Sequence, residues 1–372
     1  MDYRVVIIEG NPAQSERIAN VVRDAEGFRV VSTFNRVAAA LGQGSMFRPN
    51  VFLMDIDERE NIETVPEFLK TYPNTILLCM MEHWNPDSAE QCMNLGATGC
   101  IIKPIRGEEI AEAINIFTKR GSTKPARVIA FFSPNGRSAK TTLVANLALS
   151  LAHESGEAVG IIDADLQFGD MPIFFDVEPA STIVEAVRDV SVLSPLTLSP
   201  YFMPIVDGLY MLSSPKRPEL ADLVDRETLI EIVRMSGNIY RYVLIDLPSG
   251  VDSFIMGVCE FADTIVLSGM IGTGFEIKHM QRSLEMFQGW SDYGKNIHVV
   301  FSRVDPCDEN ERKKLANAIG NPVSAILPNE YLLMSAANSG RILDRNEVSE
   351  DITKRFDKMA QNVIAGNRGD LL

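Results

Sequence analysis

The chain has 372 residues, 46% of them hydrophobic and 23% charged, with a formal net charge of −15. Such a length exceeds one ordinary core, so two domains are expected, and the composition is that of a folded protein rather than a disordered one. The acidic balance speaks against DNA as a partner, because phosphate neutralisation needs a basic excess or stripe.

No run approaches the ~18 apolar residues of a membrane-spanning helix. The opening Met1-Asp-Tyr-Arg-Val-Val-Ile-Ile8 lacks the layout of a secretory signal and reads as a first strand. Cys79, Cys92, Cys100, Cys259 and Cys307 are scattered without Cys-x-x-Cys spacing, and the four histidines are dispersed. The cysteines read as buried, reduced thiols of a cytoplasmic protein.

In chain order, residues 1–118 alternate short apolar runs with stretches of helical period. The runs are Val5–Ile8, Val30–Phe34, Val51–Asp55, Thr75–Met80 and Gly99–Ile102, and the last helical stretch carries Glu108, Ile110, Ala111, Ile114 and Ile116. The alternation predicts a (βα)5 domain with a parallel sheet and helices on both faces. Residues 119–126, within Thr118-Lys-Arg-Gly-Ser-Thr-Lys-Pro125-Ala126, predict a linker through charge, glycine and proline. Residues 127–372 resume the alternation, with runs at Val128–Phe132, Val159–Asp163, Tyr242–Asp246, Thr264–Leu267, His298–Phe301 and Ser324–Leu327. The expected fold class is α/β, two doubly wound parallel-sheet domains in series.

The most informative stretch is Val128-Ile-Ala-Phe-Phe-Ser-Pro-Asn-Gly-Arg-Ser-Ala-Lys-Thr-Thr142, followed by an apolar-periodic helix to about His153. A strand that turns tightly into a helix opening at Lys-Thr-Thr is a phosphate loop. Backbone N–H groups and the helix N-terminus hold phosphate, Lys140 neutralises it, and the Thr141 hydroxyl can ligate Mg²⁺. The usual glycine positions fall on Pro134 and Ala139, so the motif alone is a weak match. Two later segments strengthen it: Asp163-Ala-Asp-Leu-Gln-Phe-Gly-Asp170 and Tyr242-Val-Leu-Ile-Asp-Leu-Pro-Ser-Gly250 each bring aspartate to the carboxyl end of a strand, where such sheets bind ligands. Asp246 is placed to hold Mg²⁺ through water, while any one of these aspartates alone would read as a helix cap.

These segments resemble the ParA/MinD group of P-loop ATPases, and more narrowly its TadZ/CpaE branch, associated with Flp (Tad) pilus assembly and polar localisation. The carrying residues are Asn135-Gly-Arg-Ser-Ala-Lys-Thr-Thr142, Asp163–Asp170, Asp246-Leu-Pro-Ser-Gly250, Leu327-Pro-Asn-Glu-Tyr331 and Ala336-Ala-Asn-Ser-Gly340. The resemblance implies a flavodoxin/receiver-like domain ahead of a P-loop NTPase domain, ATP and Mg²⁺ as ligands, and an ATP-dependent homodimer. Pilus or secretion assembly proteins, or a polar landmark, would be its partners, recruiting it to the pole or inner membrane face.

Position by position, the resemblance places Asn135, Gly136, Arg137, Ser138, Ala139, Lys140, Thr141 and Thr142 around phosphate. Asp165 would orient the attacking water beside Lys140. Asp163 and Asp170 would belong to a first switch, and Asp246, Pro248 and Gly250 to a second. Arg303, Pro328 and Asn329 would lie near adenine, with Ser302 where the group has asparagine. Asn135 stands where the group has a lysine that reaches a partner's phosphates. One charge is thus missing, Arg137 is the alternative source, and slow hydrolysis is expected.

The first domain resembles a receiver that is phosphorylated on aspartate. Asp55 matches the acceptor and Lys103 the lysine, but the acidic pair reads Glu9-Gly10 and the hydroxyl position falls on Cys79 or Met80. A pocket short of a carboxylate holds Mg²⁺ poorly, so loss of phosphotransfer and a docking role are expected. The tail places Ile352, Phe356, Met359 and Val363 at helical spacing with Lys354, Arg355 and Lys358 between them; this reads as a helix packed on its own domain rather than a membrane anchor. Met280, Met286 and Met334 read as core filler. Open alternatives are a scaffold that holds ATP without cycling, a DNA-partition ATPase, and a response regulator with an ATPase output.

Overall fold

Runs of β-branched and apolar residues suit strands covered on both faces, and both halves of the chain use them that way. The computed structural model describes residues 3–73, 75–105, 110, 113–114, 125–136, 138–190, 195–271, 275–290, 297–331, 333, 335, 339–340, 342 and 349–366. These fall into two units: Met1–Ala126 with Asp189–Pro200 and Arg234–Arg241, and Arg127–Arg188 with Tyr201–Val233 and Tyr242–Leu372.

The first unit runs β1 (Tyr3–Ile8), α1 (Pro12–Asp24), β2 (Phe28–Phe34), α2 (Val37–Gln43), β3 (Val51–Asp55), α3 (Arg59–Glu63), α4 (Val65–Thr71), β4 (Ile76–Met81), α5 (Pro86–Asn94) and β5 (Gly99–Ile102). Its sheet has the order β2-β1-β3-β4-β5 with every pairing parallel. Side chains alternate between two cores, so Val6, Phe52, Met54 and Phe68 share one face and Val5, Leu53, Leu78 and Ile18 the other. Asn11 starts α1 by accepting from the Ala13 and Gln14 N–H groups ahead of Pro12. Of the expected final helix, Ile110, Ala113 and Ile114 are described, and all three are buried. Residues 119–124 of the expected linker lie outside the described residues.

The second unit contains β6 (Arg127–Ser133), α6 (Lys140–Ser155), β7 (Val159–Asp163), β8 (Met203–Val206), β9 (Leu209–Leu212), β10 (Tyr242–Ser249), α7 (Ser253–Phe261), β11 (Thr264–Met270), α8 (Phe275–Phe287), β12 (Ile297–Val304), α9 (Glu309–Ile319), β13 (Ala325–Pro328) and α10 (Glu350–Ala365). The sheet order is β13-β12-β11-β6-β10-β7-β9-β8. Every pairing is parallel except β8–β9. This edge hairpin was not anticipated, although Asp207-Gly208 between alternating apolar residues is a two-residue turn signal, with Gly208 at φ +79°. The four-residue strands were too short to stand out by pattern.

The helix α6 is buried along most of its length, and α10 packs against it. Ile352, Phe356, Met359 and Val363 are the buried face of α10, so that stripe lies inside the unit. Met280 is buried, whereas Met286 is exposed; Met334 lies outside the described residues. Truncating Phe356, 2% exposed, to alanine is expected to cost about 3–5 kcal/mol, read as a lowered midpoint in denaturant unfolding of the full chain.

Candidate functional site

The apolar strand β6 delivers the chain to Pro134, and Ala139 leads directly into α6. Inside the loop, Ser133 Oγ donates to the Asn135 carbonyl at 2.7 Å and accepts from the Asn135 N–H at 3.4 Å. From β11, Ser268 Oγ donates to the Ser138 carbonyl at 3.1 Å. Ala139 takes the left-handed conformation, φ 59° and ψ 24°, at the capping position of α6. An L-residue there costs about 1–2 kcal/mol, and alanine offers no side-chain acceptor to the first N–H groups of the helix. Those donors and the helix dipole are therefore available to an anion.

Lys140, the first residue of α6, is 5% exposed and its Nζ bonds Asp246 Oδ1. Asp246 sits on β10 in register with Asp163 at the end of β7, so the two carboxylates lie side by side. Both are buried. Burial, then the negative charge of Asp246, pushes Asp163 up to about 8. Its Oδ1 accepts from the Asp165 N–H at 3.3 Å, and its Oδ2 has no hydrogen bond among the described residues. Asp165 is half-buried, and burial pushes its carboxyl up.

Beyond Asp246 the pairing of β10 with β6 slips by one residue, from Asp246 opposite Phe131 to Ser249 opposite Ser133. Pro248, which has no N–H to give the ladder, sits in this bulge. Gly250 follows at φ +110° and donates its N–H to the Ser133 carbonyl at 3.0 Å. Asp170 is exposed and precedes a short helix, Met171–Phe174.

The structure brings Lys140, Asp163 and Asp246 together and sets Thr141 and Thr142, both half-buried, on the first turn of α6. A second bulge, between Phe301 and Val304 of β12, turns Arg303 outward at φ +58°. Arg303, Ser302 and Pro328 line a cleft with Ala139 and Thr142 that is only about 30 Å³, room for a water or two, so a base would have to widen it. Ser302 Oγ is buried there without a hydrogen bond among the described residues. Asn329 is exposed and does not line the cleft. Arg137 and residues 336–338 lie outside the described residues.

Three contributors were missed by the sequence reading. A Cβ on Gly169 would stand 2.4 Å from Asp163 Oδ2 and 2.2 Å from Ser214 Oγ, so only glycine lets this loop close over the aspartate. Ser214 had no local signal. Ser268 did have one, as a polar residue in an otherwise apolar strand.

In the first unit, Lys103 Nζ contacts Glu9 Oε2 at 3.1 Å, Asp55 Oδ1 at 2.7 Å and Asp57 Oδ2 at 2.7 Å. The acid missing at Gly10 is thus made up by Asp57, whose position two residues beyond Asp55 was the overlooked signal. The Glu82 N–H also donates to Asp57, at 3.0 Å. Burial pushes Asp55 up to about 6 despite Lys103. Burial opposes ionisation of Asp57 too, but the bonds from Lys103 and the Glu82 N–H outweigh it and hold Asp57 below its ordinary value. Burial likewise opposes the charge on Lys103, and its bonds to Asp55 and Asp57 outweigh that. Cys79 packs in the apolar cluster with Cys92 and Cys100 rather than with these ions, and Met80 offers no hydroxyl.

Comparison with known proteins agrees with this geometry. Residues 5–115 match the response regulator receiver domain, and residues 129–343 match the CobQ/CobB/MinD/ParA nucleotide binding domain. A putative septum site-determining protein MinD from Nephroselmis olivacea is 24% identical over 233 residues, covering 60% of this chain and 82% of the relative. Among solved structures, a ParA family ATPase from Chlorobium tepidum superposes with a TM-score of 0.58 at 19% identity, over 64% of this chain and 99% of that one. The septum site-determining protein MinD from Pyrococcus horikoshii, complexed with Mg-ADP, gives 0.55 at 20% identity, over 66% and 99%.

Replacing Lys103 with methionine leaves three carboxylates without their counterion. At pH 8 the expected loss is about 3–5 kcal/mol of first-unit stability. Below pH 6 the loss shrinks, because in the variant the carboxylates take up protons more readily folded than unfolded, so its stability rises as pH falls. Urea unfolding across this pH range measures both.

Proposed function

The chain belongs to the CobQ/CobB/MinD/ParA nucleotide-binding family, and from that premise we propose that it is an ATP-switched positioning factor of the TadZ/CpaE kind. In this reading it localises a Flp/Tad pilus machine. The observation that carries the reading is Lys140, buried at the start of an uncapped 16-residue helix and paired with Asp246 at a neighbouring strand tip. A cation held at an open ring of N–H donors fits a triphosphate.

The backbone of residues 135–142, with Lys140, would hold the phosphates, and Thr141 with Asp246 would hold Mg²⁺. The metal supplies charge neutralisation at phosphate oxygens. With phosphate bound, Lys140 would pair with it instead of with Asp246, and Asp246 would then be available to a metal. Asp165, half-buried on the loop after β7, is the candidate to orient water. Arg303 and Pro328 frame the base cleft.

Positioning is supported by the relatives, which carry septum site-determining names, and the pilus assignment by the Asp163–Asp170 phrase. Dimerisation is supported by four large apolar side chains that stand exposed on segments following strand tips: Phe168 and Ile173 after β7, Val251 after β10 and Phe275 after β11. The receiver-like unit, its acceptor tied to Lys103, acts by docking to a partner. A scaffold that holds ATP without cycling is the second reading, and Asn135 favours it.

Light scattering is expected to show a dimer for wild type with ATP and Mg²⁺ and a monomer for Lys140→Ala under the same conditions. Absence of nucleotide uptake by wild type in calorimetry would end the switch model. Restoring the charge with Asn135→Lys is expected to raise ATP turnover about 10²-fold, measured as phosphate release. Single-turnover kinetics of wild type separates slow cycling from none.

A further inference from the structure

Three of the five cysteines, far apart in sequence, meet in the first unit. Cys79 on β4 is the register partner of Cys100 on β5, and Cys92 lies on α5. Their sulfur atoms all lie within 4.8 Å of one another, and each residue is fully buried. Among the described residues no histidine, carboxylate or fourth cysteine joins them. The surrounding cluster is apolar and includes Leu77, Ala89, Met81 and Met93. Cys100 Sγ points its proton toward the Ala89 carbonyl at 3.9 Å.

We propose that Cys79, Cys92 and Cys100 form a three-sulfur site for a soft, thiophilic d¹⁰ cation, with Cu(I) as the ion the donor set suits best. A metal–sulfur bond of about 2.3 Å sets the sulfurs of a planar three-coordinate centre about 4.0 Å apart, so the thiols need only a small contraction. Softness selects copper(I) or zinc over magnesium or calcium. Zinc in closed sites takes four ligands, and among the described residues no fourth cysteine, histidine or carboxylate joins the cluster, whereas three sulfurs satisfy Cu(I). Binding is acid–base chemistry without oxidation: each thiol that becomes a ligand gives its proton to the buffer. The site gives the receiver-like unit an input other than phosphate, in a unit whose acceptor aspartate is already held by a lysine.

The test is anaerobic titration of the reduced full-length protein with Cu(I), supplied as its acetonitrile complex, in competition with bicinchoninate. Wild type is expected to retain one equivalent of Cu(I) and to melt at higher temperature when loaded. A Cys92→Ala/Cys100→Ala variant should lose that equivalent, and Cys259→Ala/Cys307→Ala, altered only outside the cluster, should keep it. Wild type that retains no Cu(I), or that keeps Zn(II) in preference, overturns the proposal. So does a Cys92→Ala/Cys100→Ala variant that binds as well as wild type. Should that variant fail to fold by circular dichroism, the comparison of wild type with Cys259→Ala/Cys307→Ala decides: loss of the equivalent in the latter overturns the cluster as the site.

Discussion

Below the first turn of α6, one ammonium and two carboxyl groups share a buried space. Lys140 neutralises Asp246, and burial together with the charge of Asp246 pushes Asp163 beside it upward, toward the protonated form. Burying ions costs several kcal/mol each unless they are paired. This arrangement fixes the tips of β7 and β10, the first turn of the helix and the loop between β6 and α6 in one electrostatic unit. Much else follows from it, including the bulge at Pro248 that redirects the chain just past Asp246 and the glycine that lets the next loop approach Asp163.

The two units use a buried lysine in opposite ways. Lys103 has three carboxylates around it, so a ligand that drew it away would strand all of them. Lys140 bonds a single carboxylate at the mouth of a helix with unmet N–H donors, so a phosphate can take that carboxylate's place with little rearrangement. The number of anionic partners, more than the burial, separates a locked ion cluster from an exchangeable one.

Strand and helix positions were legible wherever an apolar run had clear period and length, as at Val51–Asp55 or Val159–Asp163. The strand–turn–helix that opens at Lys140 was legible through Lys140-Thr-Thr and the aspartates at strand tips, even with Pro134 and Ala139 in the glycine positions of a phosphate loop. What the sequence hid was tertiary. Nothing local says that Asp163 would sit buried against Asp246, that Asp57 would complete the Lys103 cluster, or that Cys79, Cys92 and Cys100 would converge. Parallel register of β7 with β10 makes the first meeting and that across β3, β4 and β5 the other two, and register between distant segments is not written in either segment alone. The β8–β9 hairpin was missed for a different reason, since four-residue strands carry too few alternations to register as a pattern.

That hairpin also settles how the larger sheet ends. Its outermost strands, β8 on one side and β13 on the other, each include a proline, Pro204 and Pro328. A proline cannot donate to an incoming neighbour, and short rims present few groups to copy. Neither border is a good template for another chain to extend the sheet, so filament-like or amyloid-like growth from these margins is disfavoured.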